Sequence, residues 1–269
     1  MSLLEAAFFD LDGTLMSRSS TFTLGRPLYE AGLISRETVV RSVVAQAQFL
    51  LFGADQRKLD RARDGILALT KGWRQGDVER VVREAVDKRI APFIHLPVRR
   101  LADQHRAAGR EVYLVSTSPE EVVRPLAEYL GIDHVIATRA EVVDGIYTGR
   151  LSFYCFGEAK ATALEELVSA RQIDLAASFA YSDSASDLPM LLAVGHPVAV
   201  DPDKKLRRVA LDRGWEIMEA PSNKAVYRTA GAAGLAVGTI WTFGYMRGRW
   251  RMRRARKAAE KKRRRRFPF

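Results

Sequence analysis

The sequence predicts an α/β fold built on a doubly wound parallel sheet, and two patterns support this. From residue 95 to residue 220, short apolar segments alternate with longer segments of helical periodicity. This alternation is typical of a parallel sheet that carries helices on both faces. A separate apolar strand over 6–11 precedes this region, and the 16–94 segment between them has helical periodicity alone. We therefore expect an all-helical domain inserted directly after the first strand.

Individual glycine, proline and aspartate residues mark the boundaries of the predicted helices and strands. Gly109 and Gly131 end two helices, Pro119 opens one, and Asp144-Gly145 marks the turn of a hairpin. The predicted strands are 6–11, 112–115, 135–137, 178–181, 197–200 and 215–218, with a hairpin over 141–153. The predicted helices of the later region are 96–108, 119–130, 159–170, 187–194 and 204–213.

These predicted elements divide the chain into four parts. Residues 1–15 and 95–220 form the core, and residues 16–94 form a helical cap. Residues 228–248 form a hydrophobic C-terminal helix, and residues 249–269 form a basic tail. No internal repeat is visible.

The positive charge of the chain lies almost entirely in this tail. The net charge is +11, and residues 247–269 contain thirteen Lys or Arg against one acid, so the remaining residues carry a net charge of −1. This distribution argues against nucleic-acid binding by the main body. Cys155 is the one cysteine, which excludes an intrachain disulfide and favours a reducing cytoplasm. We also expect no secretory signal.

The segment before the tail leaves several interpretations open. Thr229 to Met246 has no charged residue but contains four glycines, so it is borderline as a membrane span. The segment and tail would attach the protein to the inner, anionic face of the plasma membrane. The segment would either lie in the membrane interface or span the membrane weakly. Alternatively, the segment packs on the domain as a helix, or the tail is disordered. Nucleic-acid contact by the tail is disfavoured because few aromatic residues interrupt its arginines. The oligomeric state stays open.

Polar residues follow the predicted strands at the points where ligands bind in such sheets. Asp10 and Asp12 follow the first strand, Ser116 follows the second, and Asp183 and Asp187 follow a later one. Carboxylates gathered at one edge repel each other unless a cation lies among them, and hard oxygen ligands suit Mg2+. The histidines are too scattered for a zinc site: His95, His105, His134 and His196.

This set of residues suggests phosphoryl transfer. Asp10 would attack the phosphorus atom, and Asp12 would protonate the leaving oxygen and then activate water. The hydroxyl of Ser116 would hold phosphoryl oxygens, and Lys160 would neutralise charge between Asp10 and the phosphate. The expected substrate is a small phosphorylated molecule. Two alternatives remain: a phosphotransferase with an alcohol acceptor, and a membrane-associated interaction protein whose site has decayed.

These motifs resemble the haloacid dehalogenase superfamily over residues 5–218. The segment Phe8 to Leu15 resembles its Asp-x-Asp-Gly-Thr signature, and 181–190 resembles its fourth motif, with two acids separated by three residues. Ser116 and Lys160 occupy the positions of the second and third motifs. The resemblance implies a Rossmann-like core of this superfamily, and because Asp12 is present it implies phosphate ester hydrolysis rather than dehalogenation.

The resemblance also implies the site residues. Mg2+ would be bound by Asp10, the backbone carbonyl of Asp12, and Asp183, with Asp187 acting on the water shell of the metal. We assign the phosphate and substrate contacts to a set of polar residues and one glycine: Gly13, Thr14, Arg18, Ser116, Thr117 and Lys160.

The helical insert and the Asp-Leu-Pro run at 187–189 resemble subfamily IB, which includes phosphoserine phosphatases. Those enzymes place a Glu shortly after the first motif to bind the substrate amino group, whereas the next acid here is Glu30. Ser116-Thr117-Ser118 also replaces their Ser-Gly-Gly run. We therefore expect a substrate other than L-phosphoserine, such as another small phosphorylated metabolite or a lipid phosphate, and Arg18 favours an anionic or neutral one.

Overall fold

The computed structural model describes residues 3–17, 20–35, 38 and 56–219. Arg18, the predicted hydrophobic helix over 228–248 and the basic tail over 249–269 lie outside these residues, so their assignments stay predictions. Within the described ranges, no helix has both the length and the hydrophobicity needed to cross a membrane.

One sheet of seven strands organises the described chain, in the order β4-β3-β2-β1-β5-β6-β7. All neighbouring strands are parallel except β3 and β4, which form an antiparallel hairpin. The strands are β1 (Ala6–Asp10), β2 (Glu111–Pro119), β3 (His134–Val143), β4 (Ile146–Phe153), β5 (Phe179–Ser182), β6 (His196–Val200) and β7 (Glu216–Met218). The predicted α/β class and the predicted hairpin, with its Asp144-Gly145 turn, are confirmed.

Helices connect these strands. The described α-helices are α1 (Ser20–Thr23), α2 (Gly25–Glu30), α3 (Gln56–Thr70), α4 (Gln75–Ala85), α5 (Leu96–Ala107), α6 (Glu120–Leu130), α7 (Glu158–Arg171), α8 (Leu188–Ala193) and α9 (Lys204–Arg213). A π-helix (Val86–Ile90) and a 3-10 helix (Ala91–Phe93) follow α4, and further 3-10 turns cover Leu175–Ala177 and Ala185–Asp187.

The central strand β1 is buried on both faces. Phe8 and Phe9 point to opposite sides because side chains alternate along a strand. Phe8 packs in one hydrophobic cluster with Tyr113 and Leu164 of α7, and Phe9 packs in the other with Leu126 of α6. A strand covered on both faces is the expected centre of a doubly wound sheet.

The helices inserted between β1 and β2 share a core with the sheet. Leu24, Val82 of α4 and Ile90 are almost fully buried and belong to the same hydrophobic cluster as Phe9. The described residues of the insert are mostly helical, and its buried residues pack directly on one face of the core. The domain boundaries at residues 16 and 94 stay predictions.

The insert leaves and rejoins the core at one place. Met16 pairs with Ile94 in an antiparallel bridge, and the amide of Ser17 donates to the carbonyl oxygen of Phe93 at 2.9 Å. Both connections therefore lie beside the end of β1, which brings the first helices of the insert close to Asp10 and Asp12.

Strand β2 is longer than predicted. We expected it to end at residue 115, but it continues through Ser116, Thr117 and Ser118 to Pro119, which pairs with Thr138 after a shift in register. Pro119 precedes α6 with an extended backbone instead of lying in its first turn. The pairing with β3 thus extends a strand whose polar residues had suggested a loop.

The buried histidine of α5 gives a prediction about stability. His105 is 5% exposed and lies 2.7 Å from the Tyr181 hydroxyl through Nε2. Burial, assisted by Arg110, lowers the pKa of His105 to about 4. The unfolded chain has the higher pKa, about 6.5. The stability from neutral His105 is therefore fully present above pH 6.5 and is lost as the pH falls towards 4.

We expect the wild-type free energy of unfolding to fall between pH 6.5 and 4 by up to about 3 kcal/mol more than that of His105→Gln. Denaturant unfolding of both proteins at several pH values measures the difference. Parallel pH curves for the two proteins would contradict the proposed neutral state of His105.

Candidate active site

The loop after β1 brings two acidic segments together. Asp10 ends β1, and the chain then turns so that the amide of Gly13 donates to the carbonyl oxygen of Met16 at 2.8 Å. Gly13 has a φ of +97°, and a Cβ atom there would lie 2.0 Å from Oδ2 of Asp183. Only glycine therefore fits, and its missing side chain lets the Asp183 carboxylate approach the loop.

The second acidic segment follows β5, the neighbour of β1 in the sheet. Asp183 comes directly after this strand, and Asp187 ends the 3-10 turn that leads into α8. Ser182 donates its hydroxyl to Oδ2 of Asp187 at 2.8 Å. Because β1 and β5 are parallel neighbours, their carboxyl ends bring Asp10, Asp183 and Asp187 to the same edge.

A buried lysine joins two of these acids. Lys160 lies in the first turn of α7 and is 1% exposed. Its Nζ atom is 2.7 Å from Oδ1 of Asp10 and 2.9 Å from Oδ2 of Asp187. Burial disfavours the charged form of Lys160, but the two carboxylates outweigh it and raise the pKa of Lys160. The ammonium group is therefore charged at all pH values at which the protein works.

One lysine does not neutralise the whole site. Burial raises the pKa of Asp10 well above its usual value; Lys160 opposes this, while Asp187 and Asp183 add to it. Burial, followed by repulsion from Asp187, raises the pKa of Asp183 to about 7. The excess of negative charge favours binding of a further cation.

The oxygen donors fit a magnesium ion. In the described part of the chain, no three His, Cys, Asp or Glu side chains form a metal cluster by themselves. Mg2+ does not need one, because it usually binds one or two carboxylates and completes its shell with water and phosphate oxygens. Asp10 and Asp183 offer the carboxylates, and Asp12 offers its backbone carbonyl. Asp187 is engaged by Lys160 and Ser182.

Asp12 has a separate environment. Its Oδ1 accepts from the backbone amide of Ser20 at 2.6 Å, and its Oδ2 accepts from the hydroxyls of Ser118 at 2.7 Å and Ser20 at 3.2 Å. Burial raises the pKa of Asp12, and these hydrogen bonds oppose the rise. Asp12 is thus held by groups that do not touch the Lys160 cluster.

The predicted phosphate ligands differ in their positions. The Ser116 oxygen is buried and accepts from the amide of Ser118 at 3.1 Å, so its own proton stays available for a phosphoryl oxygen. Thr117 donates its hydroxyl proton to the carbonyl oxygen of Cys155 at 2.9 Å, so that proton cannot serve a phosphate at the same time. Thr14 is fully buried, and its Oγ1 has no hydrogen-bond partner among the described residues.

Two residues around Asp12 were not identified from the sequence. Ser20 opens α1 in the insert, and Ser118 is the last serine of β2. Alternation along β2 would have placed Ser118 on the same side as Ser116, had the strand been predicted beyond residue 115. No signal in the sequence connects Ser20 with Asp12, because that contact depends on how the insert joins the core.

Comparisons with known proteins show the family of the chain. The family model described as haloacid dehalogenase-like hydrolase matches residues 7–192. A probable phosphatase of Mycobacterium tuberculosis is 41% identical over 256 residues, which cover 90% of this chain and 89% of the relative. A phosphoserine phosphatase of the same organism is 36% identical over 240 residues, covering 88% and 78%. A crystal structure of a Bordetella pertussis protein of unknown function is 28% identical, with a TM-score of 0.71, and covers 81% of this chain and 99% of its own.

We predict that Lys160→Met destabilises the protein by about 3–5 kcal/mol, because it leaves Asp10 and Asp187 buried without their cation. Thermal unfolding measured without divalent metal checks this value. Lys204→Met, on the exposed face of α9, is the control and should unfold like the wild type. A Lys160→Met protein as stable as this control would contradict the charged triad.

We predict that Ser118→Ala lowers kcat about tenfold with little change in KM, because Asp12 loses the shortest hydroxyl contact that orients it. Steady-state kinetics with p-nitrophenyl phosphate measures both constants. Ser169→Ala, which removes an exposed hydroxyl bonded within α7, is the matched control. An unchanged kcat for Ser118→Ala would show that Asp12 does not need this contact.

Proposed function

Since this chain belongs to the haloacid dehalogenase-like hydrolase family and is a phosphatase, we propose that it hydrolyses a phosphomonoester through an aspartyl-phosphate on Asp10, with Mg2+ as cofactor. The observation that carries the proposal is the buried Lys160, which bonds Asp10 at 2.7 Å while Asp183 lies against the same loop. This arrangement orients a carboxylate at the end of the central strand and gives it a cation that favours its ionised form.

In the first step, Asp10 attacks the phosphorus atom. Lys160 occupies Oδ1, so we assign the attack to Oδ2. The phosphorus–oxygen bond to the leaving group breaks as the bond to Asp10 forms, and Asp12 donates a proton to the departing oxygen. Burial supports this role because it raises the pKa of Asp12 and favours its protonated form.

In the second step, water hydrolyses the aspartyl-phosphate. Asp12, now deprotonated, takes a proton from the water that attacks the phosphorus atom, and the Asp10 carboxylate is released. The proton returns Asp12 to its starting form. The hydrogen bonds from Ser20 and Ser118 fit this alternation, because they stabilise the carboxylate form between the two steps.

The phosphoryl oxygens of the substrate need hydrogen-bond donors and positive charge around them. We assign to them the Ser116 hydroxyl and the Lys160 ammonium, with the backbone amides of Asp12 and Thr14; the Gly13 amide is engaged by Met16. When bound, Mg2+ would neutralise phosphate charge and orient the reacting oxygens. Asp10, Asp183 and the Asp12 carbonyl would hold it, while Asp187 positions Lys160.

We predict that Asp10→Asn lowers kcat for p-nitrophenyl phosphate at least about a thousandfold, because an amide cannot accept the phosphoryl group. Phosphate release is measured at saturating Mg2+, and the wild type is also measured after chelation, where we expect turnover to stop. Asp212→Asn, an exposed change on α9, is the matched control.

Trapping identifies the covalent step directly. Denaturing the wild-type enzyme during turnover of a 32P-labelled substrate should leave label on the protein, and hydroxylamine should release it as expected for an acyl phosphate. Wild-type turnover in Asp10→Asn, or label at another residue, would show that the nucleophile lies elsewhere.

A further inference from the structure

A cavity of about 360 Å3 lies next to the proposed proton donor. Asp12 and Ser118 form part of its wall, so the leaving group of a substrate attacked by Asp10 enters this space. This volume is within the range of small-molecule sites.

The cavity has apolar walls from both the insert and the core. The residues that shape it in the described chain are mostly hydrocarbon: Leu24, Leu28, Ile66, Leu67, Val122 and Leu151. They come from the region of α2, from α3, from α6 and from β4. Substrate groups that enter here exchange water for hydrocarbon contact, which favours apolar groups and penalises charged ones.

Among the described residues, the charged groups at the wall other than Asp12 already have protein partners. Glu121 is 7% exposed, and burial raises its pKa. The side chain of Gln75 donates a hydrogen bond to the Glu121 carboxylate at 3.4 Å, and Tyr147 also bonds this carboxylate. Arg63 pairs with Asp64 at 2.9 Å and lies 5.3 Å from the ring centre of Tyr154. A leaving group with an ammonium or a carboxylate would have to compete with these internal contacts.

We propose that the substrate is a phosphate monoester of an apolar alcohol, whose hydrocarbon chain fills this cavity while its phosphate lies at Asp10. The inference rests on the proposed function and narrows its substrate class. Asp12 then meets the ester oxygen at the boundary between the polar site and the apolar space, because it lines the cavity and follows Asp10 in the same loop.

A series of straight-chain alkyl phosphates from methyl to octyl, each below its micelle-forming concentration, tests the proposal. Each added methylene should raise kcat/KM by about fourfold until the cavity is filled. L-Phosphoserine should be hydrolysed less efficiently than octyl phosphate. A flat chain-length series, or a preference for L-phosphoserine, would overturn the inference.

Two matched variants test whether the effect of chain length on kcat/KM depends on this cavity. Ile66 and Leu69 both lie on α3 and are 43% and 38% exposed, so neither supports the buried core, but only Ile66 lines the cavity. Ile66→Ser should lower kcat/KM for octyl phosphate about threefold to tenfold more than it lowers kcat/KM for methyl phosphate. Leu69→Ser should change neither. Equal effects of the two variants would overturn the assignment of the hydrocarbon to this cavity.

Binding measurements with phosphonates test the substrate inference independently of the proposed chemistry. Octylphosphonate and methylphosphonate lack a cleavable ester, and calorimetry in the presence of Mg2+ measures their affinities. Tighter binding of octylphosphonate with a negative heat capacity change supports the cavity inference. If binding depends on chain length but no ester is hydrolysed, the proposed function fails alone. If hydrolysis depends on Asp10 but not on chain length, the substrate inference fails alone.

Discussion

The buried ammonium of Lys160 is the interaction on which the rest of the site depends. Asp10 and Asp187 are both largely withdrawn from water, and each would be costly to bury as an ion without an opposite charge. Lys160 bonds both at less than 3 Å, which favours the ionised form of Asp10 and engages its Oδ1, so that Oδ2 is the oxygen left for the proposed attack. The same contact ties the start of α7 to the ends of β1 and to the turn after β5.

The position of the insert has a chemical consequence for Asp12. Ser20 comes from the first helix of the insert and Ser118 from the end of β2, and their hydroxyl oxygens lie 3.0 Å apart while both contact the same carboxylate oxygen. Asp12, the proposed acid/base group, is therefore held jointly by the insert and by the core. A displacement of the insert would alter the environment of Asp12 but would leave the Lys160 contacts in place.

The sequence predicted what depends on local pattern and on strand order. The parallel sheet, the hairpin at Asp144-Gly145 and the meeting of Asp10 and Asp183 at one edge follow from periodicity and from the rule that parallel strands end together. It did not predict the extension of β2 to Pro119, because a run of three polar residues resembles a loop until β3 pairs with it. For the same reason it missed Ser118, and it assigned Thr117 to the phosphate although Cys155 takes its hydroxyl proton.

The apolar cavity and the sequence around residue 20 both favour a substrate with an uncharged leaving group. A phosphatase that binds an amino acid needs a charge near the leaving oxygen to hold the substrate ammonium. Among the described residues of the insert, the one that bonds Asp12 is Ser20, which is neutral. With its hydroxyl directed at Asp12, Ser20 orients the acid/base group instead of binding a substrate cation. The space beyond it is walled by leucine and isoleucine side chains, so recognition of the leaving group depends on excluded water and not on charge. Such a site distinguishes substrates by apolar size and leaves the phosphate as the one charged group it has to hold.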